Sequence, residues 1–97
     1  MAQVAPKARL QQWINNYLAY LEEEWQGLPE IARDWDRWKE HERLDFVVEW
    51  PIREDRLHQL QEWAEQDLLN PQQRARHEEL MKVVARNRPI LAELLKD

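Results

Sequence analysis

The sequence predicts an all-α protein, a small bundle of four to five helices with short connections marked by proline, glycine or asparagine. Three observations carry that prediction. Leu, Ala, Glu, Gln, Lys and Arg dominate the 97 residues, β-branched residues are scarce, and serine and threonine are absent; such a composition favours helix over strand and turn. Apolar side chains recur at three- and four-residue intervals along most of the chain, which is the period of one helical face. Five prolines and the single glycine punctuate these segments, and proline fits a first helical turn while holding the residue before it extended.

Element by element, Leu10, Trp13, Ile14, Tyr17, Leu18, Leu21 and Trp25 form the stripe of a first helix that starts at Pro6 and ends at Gly27. A second helix is expected from Pro29 and a third from Pro51, the latter with Leu57, Leu60, Ala64 and Leu68 as its apolar face. The run "NPQQ" reads as a fresh start, with Asn70 as cap, Pro71 in the first turn and Gln73 completing a capping box. His77, Leu80, Met81 and Val84 make the buried face of the fourth helix. Leu91 and Leu95 continue it in phase, so Pro89 marks a kink or a short fifth helix. No internal repeat or low-complexity segment divides the chain, and residues 1–97 read as one domain.

The stretch "RDWDRWKEHERLDFVVEW", residues 33–50, resists a simple helical reading. At ~100° per residue Ile31, Trp35 and Trp38 share one side of a helix, whereas Leu44, Val47 and Val48 fall on the others. Either the second helix breaks near residues 40–45, or it continues with two apolar sides, one for its own bundle and one for something else.

Composition excludes several kinds of chemistry. Without cysteine, serine or threonine there is neither a thiol nor an aliphatic hydroxyl nucleophile, and no disulfide. One glycine cannot build a phosphate-cradling loop. His58 has Glu54 and Glu62 one turn to either side and His41 precedes Asp45 by four residues, a spacing that brings imidazole and carboxylate together. No second histidine stands at metal-ligand spacing, so surface pairing is the reading and no metal or cofactor is expected. His77 reads as a core-edge residue. A non-enzyme follows, and the lack of a long apolar run or a signal pattern gives a cytoplasmic expectation.

Contact surfaces are therefore where function is sought. Among the six tryptophans, Trp13, Trp25, Trp35 and Trp38 are read as core fillers. Trp63 lies ~105° from the apolar face of its helix, on the flank of Ile52, and Trp50 stands at the expected helix start. Tryptophans so placed serve as anchors for partners. Residues 22–55 carry twelve acidic side chains against five basic ones, an acidic surface that steers a basic partner. The preferred reading is a helical protein-protein interaction module of the accessory, adaptor or inhibitor (antitoxin-like) kind. Its anchors are Trp63, Trp50 and Ile52 and its steering charges Glu22, Glu23, Glu24, Asp34 and Asp36. Self-association is a second expectation, because so short a chain has a modest core. The alternative is a nucleic-acid-binding regulator using Arg74, Arg76, Arg86 and Arg88. Those residues scatter around their helix, and a net charge of −5 opposes binding to a phosphate backbone.

Overall fold

A computed structural model describes residues 6–96 as an all-α fold. Three long helices form its body: α1 (Pro6–Gln26), α3 (Glu40–Glu65) and α4 (Pro71–Leu95). The short helix α2 (Leu28–Asp34) and a single 3₁₀ turn, Trp35–Arg37, connect α1 to α3. The body is thus three helices rather than the four to five expected. Two of the expected starts, Pro51 and Pro89, lie inside α3 and α4. Both rings are exposed, so each missing amide donor falls on the solvent side of its helix, where proline is least disruptive. The chain breaks instead at Trp38 and Lys39, whose ψ angles of 141° and 155° are extended. That is just ahead of the expected 40–45 interval, and the Glu42 carboxylate then caps the new helix by accepting the Lys39 amide at 2.9 Å.

Helix α1 is central and packs against both α3 and α4. Ile14, Leu18, Leu21 and Trp25 on its stripe are completely buried, joined by Leu28, Leu57, Leu60, Leu80, Val84 and Leu91 from the other helices. Trp13 departs from the expected core: it is 52% exposed, because it lies ~100° from the centre of the Ile14, Leu18, Leu21 and Trp25 stripe. Cross-helix contacts set the directions. Tyr17 meets Trp63, and Trp25 meets Trp50, so α3 runs antiparallel to α1. Gln73 bonds to Asn15 and Asn87 to Trp25, so α4 runs parallel to it.

Two polar devices fix this arrangement. Pro29 has no amide hydrogen to offer the Trp25 carbonyl one turn earlier. The buried Asn87 side chain supplies the donor at 2.8 Å, tying the end of α1 to α4. At the other end the predicted capping box forms, with Gln73 N–H donating to Asn70 Oδ1 at 2.8 Å and Asn70 N–H to Gln73 Oε1 at 3.0 Å. Gln73 then reaches further, its Nε2 donating to the Gln11 carbonyl and to Asn15 Oδ1. Gln11 in turn donates to the Leu68 carbonyl and accepts from Asn70 Nδ2. A buried amide satisfied on every side sets one register of α4 on α1, since each slipped register leaves polar groups unpaired.

The α3 carboxyl end closes with Leu68 N–H on the Trp63 carbonyl and Asp67 N–H on the Ala64 carbonyl, both at 3.0 Å. This Schellman-type pairing normally carries glycine in the left-handed position; here Asp67 occupies it with φ 62°. Asp67→Gly is expected to raise the unfolding free energy by about 0.5–1 kcal/mol, because removing Cβ relieves the left-handed strain, while Asp67→Ala lowers it by a similar amount. Urea unfolding followed by circular dichroism measures both.

Candidate protein-interaction surface on α3

The sequence "RLDFVVEWPI", residues 43–52, contains two apolar sets in different helical phase. In α3 they occupy opposite sides. Phe46 and Trp50 turn inward and are 7% and 2% exposed, whereas Leu44, Val48 and Ile52 turn outward at 60%, 65% and 50%. The inner set belongs to a run of rings. Trp25 packs edge-on to Trp50 at 5.1 Å, Trp50 lies 5.4 Å from Phe46, Phe46 meets Trp35 at 5.5 Å, and Trp35 meets Trp38 at 5.4 Å. Edge-to-face and tilted pairs at these separations are favourable beyond the area they bury. The outer set, spaced by four residues, forms a continuous apolar stripe with no covering element among the described residues.

Charge is sorted as sharply as hydropathy. Two of the three arginines of α3 are turned inward: Arg43 donates to the Trp35 carbonyl at 3.0 Å and stacks on its ring, and Arg53 pairs with Glu24 at 2.6 Å over the face of Trp50, whereas Arg56 is exposed and lies 4.8 Å from the Tyr20 ring. Glu40, Asp45, Glu49 and Asp55 remain exposed beside the stripe. None of these four side chains has an ion-pair or hydrogen-bond partner among the described residues. On one flank Asp45 and Glu49 also border a cleft of about 290 Å³ floored by Ile31, Trp38, Phe46 and Trp50. It adjoins a second cleft whose rim includes Glu23, Glu30 and Asp34.

The residues expected from sequence to bind a partner are only partly gathered here. Ile52 is on the stripe, and Glu23, Glu24 and Asp34 edge the clefts. Trp50 is a correction: it stands in the middle of α3, is almost wholly buried, and spends its indole N–H on Glu54 Oε2 at 2.9 Å, so it offers no surface. Trp63 is half-buried, its ring 5.0 Å from Tyr17. Glu22 points elsewhere, bridging α1 to α4 through Arg76 at 2.7 Å. Asp36 is exposed in the 3₁₀ turn and lines neither cleft. Val48, Asp45 and Glu49 are the residues the sequence reading did not select. Their signal was the four-residue spacing of Leu44, Val48 and Ile52 within a single uninterrupted helix, which the assumed start at Pro51 concealed.

Three of the four arginines in the nucleic-acid alternative are spent on carboxylates. Arg74 pairs with Asp67, Arg76 with Glu22, and Arg88 with Glu54 through both guanidinium nitrogens; Arg86 is exposed. The carboxylate of Glu22 raises the Arg76 pKa against the effect of burial. Burial acts to raise the Glu54 pKa, but hydrogen bonds from Arg88 and Trp50 and the charge of Arg88 outweigh it, and the net shift is downward. His58 pairs with Glu62 at 2.9 Å on the surface. Among the described residues no three His, Asp or Glu side chains converge as a metal site would need, and no helix is long and apolar enough to cross a membrane. No protein-family model, curated protein or solved structure matches the chain.

His77 is half-buried, with Nε2 sealed and unbonded among the described residues. Burial lowers its pKa, and the neighbouring Glu78 charge only partly opposes this. Because the folded chain takes up this proton less readily than the unfolded one, the neutral imidazole's contribution to stability is present above the ordinary histidine pKa of about 6.5 and is lost as pH falls through the lowered value. Urea midpoints of the wild type should fall as pH drops from about 7 to 5, and His77→Gln should flatten that slope.

Proposed function

We propose that this chain is a small helical protein-protein interaction module, an accessory subunit, adaptor or antitoxin-like inhibitor, that acts by docking a basic partner on the outer face of α3. The observation that carries this reading is the two-sidedness of one helix. Its inner rings hold the fold, and its outer stripe packs against no other element among the described residues, although a helix needs only one apolar face to join a bundle. Exposed aliphatic residues scattered singly are ordinary, but three in register along four-residue steps form the ridge by which amphipathic helices are recognised. The surrounding carboxylates favour a partner of positive charge and speed its arrival. The lack of Ser, Thr and Cys further supports action by contact without chemistry of its own.

The test places a photoreactive residue at the centre of the stripe. Val48→benzoylphenylalanine, produced in the host and irradiated, is expected to give a discrete covalent adduct with one other protein. The same probe at Ala19, exposed on α1, gives none. Irradiation that yields no adduct specific to position 48 counts against the reading. Since Val48 makes no core contact, Val48→Gln is expected to change stability by less than about 0.5 kcal/mol, which separates any loss of docking from loss of fold.

A further inference from the structure

We infer that the occupant of the α3 stripe is an amphipathic helix of another protein, carrying Lys and Arg on both sides of its apolar ridge. The inference rests on the interaction reading above and names the class of partner. At ~100° per residue Leu44 and Ile52 lie within ~40° of Val48, Asp55 continues the same line, Asp45 and Glu49 fall on one flank, and Glu40 falls on the other. The apolar ridge is therefore bordered by carboxylates on both sides and at its carboxyl end. Of the basic residues that could neutralise them, Arg43 and Arg53 are committed to Trp35 and to Glu24 and Trp50; Arg56, exposed on the Asp45 and Glu49 flank, lies over the Tyr20 ring and pairs with none of these carboxylates among the described residues. A chain with arginines on the same helix has thus left its outward carboxylates unpaired, a charge pattern complementary to a basic helix.

The same pattern argues against a second copy of this chain. Two α3 stripes laid against each other, parallel or antiparallel, bring carboxylate flanks together, and like charges held close across an interface oppose association. Three part-exposed aliphatic side chains also fall well short of the roughly 800 Å² per partner typical of a specific interface. A foreign helix with long Lys and Arg stems adds the missing contact, since those stems cover apolar surface while their heads reach the carboxylates.

The probe is a designed Leu/Lys amphipathic peptide of about five helical turns, compared with a twin bearing Glu for Lys and with a scrambled Leu/Lys peptide that has no apolar face. Each is titrated into the full chain by calorimetry, with the contacted residues mapped by amide chemical shifts. The Leu/Lys helix is expected to bind with shifts centred on residues 40–56, and to weaken at least about tenfold between low salt and about 0.5 M salt as its ion pairs are screened. Val48→Gln, which leaves the charge unchanged, should weaken it about tenfold or more, the loss expected of an apolar anchor. The double variant Asp45→Asn, Glu49→Gln should weaken it and remove most of the salt dependence. Equal binding of the Glu twin or the scrambled peptide, no effect of Val48→Gln, or a dimer in sedimentation that Val48→Gln dissolves would each overturn the inference. Failure of the peptides with a surviving position-48 adduct refutes the basic-helix class and leaves the interaction module standing; loss of the adduct removes both.

Discussion

The arrangement depends on a run of aromatic rings, Trp25, Trp50, Phe46, Trp35 and Trp38, at the end of the molecule where α1 stops. Tyr17 lies against Trp63, Glu24 against Arg53 and Trp25 against Trp50, so α1 is exhausted near the middle of α3. The ten residues from Glu40 to Glu49 therefore extend about 15 Å past it. Among the described residues α2 and the 3₁₀ turn lie beside this segment, and both are short elements. Large rings bridge from the connector to α3, and arginine planes cover the outer faces of Trp35 and Trp50. This is why a small protein carries so many tryptophans: indoles span gaps that Leu or Val would leave as voids, and voids in a core are costly.

The opposite end is fastened by different physics. Gln73, Asn15, Gln11 and Asn70 join the α3–α4 turn to the start of α1 through amides, and Gln73 is 1% exposed. Amide bonds are directional, so they specify register; ring stacking is broader in geometry and tolerates adjustment. One end of the molecule is accordingly fixed by direction and the other, beside the single Asn87–Trp25 bond, mainly by filled volume; the outward stripe sits on the second.

What could be read from the sequence divides along the same line. The α1 stripe and the Asn70 cap were legible because each depends on neighbours within a turn or so. Trp13 was misplaced because spacing alone does not distinguish the centre of a face from its edge. Pro51 and Pro89 look like starts in a sequence, since a proline's tolerance inside a helix depends on which side faces water, a tertiary fact. The break at Trp38 and Lys39 has no proline or glycine to announce it. The reach of Gln73 to Asn15, 58 residues away, and of Asn87 to the carbonyl orphaned by Pro29 are satisfied only by packing. Of the candidate site, the two-phase apolar pattern and the acidic bias were visible. The inward commitment of Arg43 and Arg53 was not, because formal charge counts treat an inward stacking partner and a surface cation such as Arg56 alike.

In the docking proposed for α3, the position of the stripe would link recognition to stability. Leu44, Val48 and Ile52 alternate along two turns of α3 with Phe46 and Trp50, so one short length of helix backbone separates the outer ridge from the inner rings. A helix docked outside would place this segment between two apolar layers, replacing water over the stripe by packed side chains. Because anything that binds only the folded state adds to its stability, docking would strengthen most the segment that α1 does not reach. The acidic border would then have two effects at once. It would select a basic helix over a second copy, and it would keep the apolar ridge solvated in the free chain, where a neutral border would favour self-association.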